Sequence, residues 1–263
     1  KPKRFLKIAD KPLSPGDFVM VAGYPGSTNR YGLADEFQNT ADWTYPVTGR
    51  HLKALVALVE AEGKKNPDIA VKYANTVRGW ENTLKNYDGQ LEGFQRMGAE
   101  GVKRKQEQEM LAWLRKRGND GKPALEAHDT LLRLHAQAMN TRDRDLVLGQ
   151  MLRNGALATA VQLYRLSIER EKPDAEREPG YQQRDYASIE GAMRQMERRY
   201  HPKMDRELQK YWLSQYVRLQ PQQRLAPMDK WLGGNDEKAI NSQLKALSET
   251  KLGDTAARLK WLQ

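Results

Sequence analysis

Four histidines, His51, His128, His135 and His201, are the side chains best suited to proton transfer or metal ligation. His128 and His135 share one helical stripe, seven residues apart. Two turns separate them by about 10.5 Å along the axis, too far for both to ligate one metal. The spacing predicts hydrogen-bonded, half-buried imidazoles instead. Glu197 and His201 stand at i, i+4, which predicts a surface ion pair rather than a metal or acid–base role. Of Ser14, Ser27, Ser167, Ser188, Ser214, Ser242 and Ser248, none lies in a Gly-x-Ser-x-Gly elbow. Gly23-Tyr24-Pro25-Gly26 lacks both the second half of G-x-G-x-x-G and the Lys-Ser/Thr of a phosphate-binding loop, so it reads as a tight turn. The carboxylates are scattered over charged helix faces. The residues alone present no catalytic constellation, no metal site and no cofactor motif.

One cluster differs. Within ENTLKNYDGQLEG, residues 81–93, Asn82, Lys85, Asn86 and Gly89 follow an i, i+3, i+4, i+7 pattern, and Gly93 continues the same face. A face of two amides, one lysine and glycines is polar and uncrowded. Its amides can donate and accept toward a peptide or an amine at close range. A solvated helix face, or a glycine-lined helix crossing, fits the same pattern.

The elements that must carry these residues are almost all helical. Residues 1–15 read as extended, because Pro12 and Pro15 prevent regular helix. Phe18-Val19-Met20-Val21-Ala22 is short, apolar and β-branched and ends at Gly23, the signature of a buried strand. A single strand leaves its backbone polar groups unpaired. No second convincing strand appears, so its sheet is expected to lie outside the chain. Helical periodicity starts near residue 48, with Leu52, Leu55, Val56 and Val59 on one face. Asn66-Pro67 is a strong helix start, opening a long helix toward Arg117. Its interior glycines, Gly79, Gly89, Gly93, Gly98 and Gly101, require close packing, a bend, or a break near residues 98–101. Further helices are predicted from Pro123, over 142–171, along the stripe Tyr186, Ile189, Met193, Met196 and Tyr200, over 203–219, and in three short segments to the end. The fold class is mainly α: an elongated, bundle-like set of helices over residues 32–263, preceded by an extended and strand segment over 1–31.

Composition narrows the partners. The net charge is +10, but basic and acidic residues are interleaved, as in Lys103-Arg104-Lys105-Gln106-Glu107. This predicts solvated helices with mixed charge pairs and no nucleic-acid partner. No apolar run approaches the roughly 20 residues needed to cross a bilayer, so no membrane partner is expected. The absence of cysteine excludes disulfides and thiolate zinc sites and leaves the compartment open. The first residues are basic without the apolar core of a secretory signal. The chain starts without Met, and its last residues, ARLKWLQ, still read as helix, so it reads as an excised piece of a longer protein.

Two stretches carry a family resemblance. GDFVMVAGYPGSTNRY, residues 16–31, and the N-x-x-K-N-x-x-G-x-x-x-G pattern of Asn82, Lys85, Asn86, Gly89 and Gly93 are similar to the bacterial dipeptidyl-peptidase 7 and 11 family, the family of dipeptidyl aminopeptidase BII. The resemblance implies a periplasmic, homodimeric serine exopeptidase that removes dipeptides from the free N-terminus of oligopeptides. It implies a chymotrypsin-type double β-barrel holding a His-Asp-Ser triad, with a helical domain inserted as a cap. On that comparison residues 1–31 hold an opening barrel strand and 32–263 the cap. The triad and most of the barrel lie outside the chain, and the chain alone is inactive. The family's helical domain supplies an asparagine that holds the substrate's α-amino group, and the matching position is Asn82. Asn86 and Lys85 are expected to be structural. The rival expectation is a non-enzymatic helical adaptor or binding module.

Overall fold

The computed structural model describes residues 10–20, 31–153 and 155–262. The chain divides into two units, Lys1–Gly32 and Leu33–Gln263. In the first, the described residues form no strand. Asp17 N–H donates to the Ser14 carbonyl at 3.1 Å, and Ser14 N–H donates to the Asp17 carboxylate at 2.7 Å, closing a turn. Phe18, Val19 and Met20 are irregular and exposed, Phe18 by 88%. This corrects the strand expected there, as far as Met20. A strand holds only when a neighbouring ladder takes its N–H and C=O groups, and the described residues contain no ladder. Val21, Ala22 and the turn at residues 23–26 lie outside the described residues.

The second unit is helical. It opens with α1 (Ala34–Asn39), a π-helical turn at Thr40–Thr44, and α2 (Tyr45–Lys65). Helix therefore begins well before the periodicity at residue 48. The wider turn stands just ahead of Pro46, whose ring crowds the preceding carbonyls and whose nitrogen has no hydrogen to donate. Asn66 then caps α3 (Pro67–Met97), its side chain accepting Asp68 N–H at 3.0 Å, with Pro67 at the first helical position. Gly98, at φ 56°, ends α3 in a left-handed turn and admits α4 (Ala99–Lys116). The break falls where the glycines placed it. The chain continues through α5 (Lys122–Met139), α6 (Arg142–Met151) and α7 (Gly155–Glu169). The single helix expected over 142–171 is thus two, separated at Gly155, whose φ of +55° does not fit a right-handed helix. The last elements are α8 (Tyr186–Gln195), α9 (Pro202–Tyr216), α10 (Ala226–Leu232), α11 (Glu237–Ser248) and α12 (Thr255–Leu262).

The main core surrounds α9. Its Met204, Leu208, Trp212, Leu213 and Tyr216 are buried against Leu55 and Val59 of α2, Ile69 and Tyr73 of α3, and Val147 and Met151 of α6. Each large apolar side chain sealed in this way contributes about 1.5–3 kcal/mol. A second cluster joins Leu166 of α7, Ile189 and Met193 of α8, and Leu262 of α12. Beside it Arg258 is fully buried and donates to the carbonyls of Met193 (3.1 Å) and Leu252 (2.9 Å) and to Thr255 Oγ1 (2.8 Å). Burial pulls the Arg258 pKa down. Its carbonyl acceptors tie the end of α8 to the turn ahead of α12.

Three of the histidines are hydrogen-bonded. His128 is buried with Nε2 2.8 Å from Glu107 Oε1, so α5 docks on α4 through it. His51 Nδ1 lies 2.7 Å from the Tyr211 hydroxyl, and His201 Nε2 lies 3.3 Å from Asn66 Nδ2. The Glu197–His201 ion pair expected from the sequence is not formed. Helix α8 ends at Gln195, a 3-10 turn spans Met196–Arg198, and α9 starts afresh at Pro202, so the two residues never share a helical face.

Asp205 of α9 is a carboxyl that burial perturbs strongly. It is 8% exposed, its Oδ1 has no hydrogen-bond partner, and it accepts the backbone N–H of Ala156 at the head of α7. Burial pushes its pKa up to about 6, and the Ala156 bond only partly offsets this. Between about pH 4 and pH 6 the folded state therefore holds a proton that the unfolded chain has released. Stability falls as pH rises through that window, by about 3 kcal/mol for a shift of this size. Urea unfolding at pH 4.5 and pH 7 is expected to show about 2 kcal/mol of this loss, since pH 4.5 already lies inside the window, and Asp205→Asn is expected to remove it. An unchanged slope in the variant would assign the pH dependence to another group.

Candidate functional site

The sequence pattern of Asn82, Lys85, Asn86, Gly89 and Gly93 lies on α3, and the structure gives it one clear face. The opposite side of α3 is packed. Leu84 approaches Gly49, Tyr87 stacks on Tyr45 with ring centres 4.2 Å apart, and Phe94 meets Phe37 at 4.6 Å. At 3.6 residues per turn, Asn82, Lys85, Asn86, Gly89 and Gly93 point roughly away from that packed side. Asn82, Lys85, Asn86 and Gly89 are exposed and Gly93 is half-buried.

The members of the face differ in how they are held. The Asn86 carbonyl accepts Gln90 Nε2 at 2.6 Å, and Gln90 Oε1 accepts the Tyr45 hydroxyl at 3.0 Å. Asn86 therefore sits at the end of a chain of bonds that ties α3 to α2. Thr83 spends its hydroxyl on the carbonyl of Gly79 at 3.0 Å. Asn82 has no hydrogen-bond partner among the described residues, and its amide is free to receive or donate. Lys85 likewise has no acidic partner among them.

The glycines do not serve packing within the described chain. A Cβ built at Gly79, Gly89, Gly93 or Gly101 meets no atom within 4 Å. Of the close packing, bend or break that these glycines called for, the break at Gly98 is present, and close packing is not seen at these four positions among the described residues. Each interior glycine costs about 0.5–1 kcal/mol relative to alanine. This stretch of α3 thus keeps a flat polar surface at a cost in helix stability. Among the described residues no group of three His, Asp or Glu side chains can hold a metal, and none of the histidines or serines sits beside Asn82 on this face. The arrangement can hydrogen-bond a polar chain laid along the helix, and it carries no nucleophile or base of its own.

The sequence missed the environment of Asp205 and Gly155, and a cleft between α2, α6 and α9 around His51 and Tyr211. Each is assembled from residues far apart in the chain, so no local pattern reports it.

A family model described as peptidase S46 matches residues 1–263. Over 264 aligned residues, all of this chain, it is 34% identical to an Asp/Glu-specific dipeptidyl-peptidase of Shewanella putrefaciens, of which it spans 35%. It is 29% identical over 122 residues to dipeptidyl-peptidase 7 of Porphyromonas gingivalis, covering 45% of this chain and 17% of that protein. A 28% match over 118 residues to an Asp/Glu-specific dipeptidyl-peptidase of Porphyromonas endodontalis covers 45% of the chain and 16% of the relative. The chain spans about a third or less of the curated relatives it matches.

Proposed function

Because the chain belongs to the peptidase S46 family, we propose that it is the helical, substrate-facing part of a serine exopeptidase that releases dipeptides from the free N-terminus of oligopeptides. The observation that carries this reading is the family match along residues 1–263 together with relatives named as dipeptidyl peptidases. In this reading the chemistry resides in a β-barrel of the same protein outside residues 32–263, and residues 1–31 lead from that barrel into the helices. The 263 residues alone do not hydrolyse peptides. The working enzyme is a periplasmic homodimer whose partners are oligopeptides, and it uses no cofactor.

Asn82 then has a physical role. An α-ammonium group needs acceptors, and an amide carbonyl supplies one without adding charge. The exposed, unpartnered Asn82 on α3 meets that need. Fixing the amine at a set distance from the nucleophile places the second peptide bond at the reacting position. This is positioning rather than chemistry. The flat glycine surface lets a peptide or the barrel wall come close to the α3 backbone.

The test is product analysis with the intact protein. A pentapeptide with a free amine is expected to yield its N-terminal dipeptide, and the N-acetylated pentapeptide to stay uncut. Cleavage of both at internal bonds, or of neither, would remove the exopeptidase reading.

A further inference from the structure

A cleft of about 660 Å³ opens between α2, α6 and α9, on residues that the peptidase reading does not use. Pockets of this size suit small organic ligands. Its floor is apolar, from Val47, Leu146 and Leu219, and its rim carries the exposed guanidinium groups of Arg50 and Arg218. Neither arginine has a carboxylate partner among the described residues, although many of the chain's basic side chains are paired with acidic ones along their helices.

The acidic side chain in the cleft is already engaged. Asp143 Oδ1 accepts Trp43 Nε1–H at 3.2 Å, and Asp143 Oδ2 accepts Gln223 Nε2 at 3.1 Å. Gln223 Oε1 in turn accepts the backbone N–H of Arg144 at 3.1 Å. Asp143 is thus bound into the wall and is not turned to either arginine. Between the arginines stands the His51–Tyr211 pair at 2.7 Å. Burial and the charge of Arg50 hold the His51 pKa below its usual value, so the imidazole is neutral at pH 7. Burial raises the Tyr211 pKa, and its hydroxyl keeps its hydrogen. Two guanidinium charges less the one carboxylate leave a single net positive charge around an apolar floor.

We infer that this cleft binds the carboxylate of a short peptide, with Arg50 and Arg218 clamping the anion and the apolar floor receiving the adjoining side chain. A monoanion matches the net charge, whereas a phosphate dianion would face Asp143 uncompensated. Guanidinium groups suit a planar carboxylate because they offer paired N–H donors in a fixed fork. That the occupant is a peptide rests on the proposed peptidase function. The carboxylate itself rests on the cleft alone. The source is either a peptide C-terminus or an acidic side chain.

The experiment is calorimetric titration of the intact protein with N-acetyl-Ala-Leu-Ala, its C-terminal amide, N-acetyl-Ala-Glu-Ala-amide and inorganic phosphate. N-acetylation keeps every probe from a site that requires a free amine. At least one of the two carboxylate peptides is expected to bind at least tenfold more tightly than N-acetyl-Ala-Leu-Ala-amide, and which one does identifies the source. The double variant R50Q/R218Q is expected to lose that binding by tenfold or more with an unchanged unfolding midpoint. Both substitutions lie on exposed side chains, so the fold tolerates them. Equal binding of all the peptides, tighter binding of phosphate, or undiminished binding by R50Q/R218Q would overturn the assignment. Dipeptide release from free-amine peptides is measured in parallel. Loss of the clamp with normal release overturns nothing in the peptidase reading, and a clamp without any release leaves the cleft standing while that reading falls.

Discussion

Gly155→Ala is expected to destabilise the helical unit by about 3 kcal/mol or more, read as a lowered urea midpoint by circular dichroism. Two costs add at this residue. Its φ is +55°, and an L side chain in that region costs roughly 1–2 kcal/mol. A Cβ there would also stand 1.5 Å from Asp205 Oδ1 and 2.3 Å from its Cγ, well inside contact distance. Asp205 cannot retreat freely, because it is buried on α9 and accepts Ala156 N–H. Either α7 shifts or the Asp205 bond breaks, and both disturb the junction of α7 with the main core. Gly233→Ala is the control. Its φ is +68°, but no atom lies within 4 Å of the added carbon, so only the backbone cost of about 1–2 kcal/mol is expected. A Gly155→Ala loss no greater than that of Gly233→Ala would show that the contact with Asp205 is relieved without cost. Combining Gly155→Ala with Asp205→Ala separates the terms, since the truncated side chain removes the collision. The pair is therefore expected to lose less than the sum of the single variants.

Sequence and structure agree where the signal is local. Asn66-Pro67 announced a capped helix start, and Asn66 does accept the N–H of Asp68. The break at Gly98 was legible because a left-handed residue at a helix end is most cheaply glycine. The stripe of Leu52, Leu55 and Val59 on α2 is buried, as its period required. The face of α3 was legible for the same reason, since a period of 3.6 decides which residues share a side.

Non-local features were not legible. Helix begins at Ala34, ahead of the π turn, where the apolar positions Leu33, Phe37 and Ala41 are too few and too widely set among polar residues to stand out as a stripe. The pairing of Glu197 with His201 failed because spacing alone assumes one continuous helix, and the chain breaks between Gln195 and Pro202. His201 pairs with Asn66 instead, a partner 135 positions away. The buried carboxyl of Asp205 and the cleft around Arg50 and Arg218 arise only when α2, α6, α7 and α9 are assembled. For residues 18–20 the apolar, β-branched pattern was real, but a strand also needs a partner ladder, and local sequence cannot supply one.

Asn82→Ala is expected to reduce kcat/KM for dipeptide release from free-amine oligopeptides by about 10- to 100-fold, the equivalent of one hydrogen bond to a charged group at roughly 1.5–3 kcal/mol. The side chain is exposed and has no partner among the described residues, so its removal costs the fold nothing there. Alanine is the better helix former by up to about 0.7 kcal/mol, and the unfolding midpoint is expected to hold or rise slightly. A loss of activity therefore cannot come from unfolding. Asn86→Ala provides the contrast. It releases Gln90, which is tied to Tyr45, but the lost exposed i, i+4 bond is offset by the better helix propensity of alanine, so stability is expected to change by less than about 0.5 kcal/mol and kcat/KM to stay nearly unchanged. The most direct measurement is kcat/KM of the intact protein and its Asn82→Ala variant on one free-amine pentapeptide, with the unfolding midpoint of each. A fall of at least tenfold at an unchanged midpoint is the predicted result; equal kcat/KM in the two proteins would contradict the placement of the substrate's amine at α3.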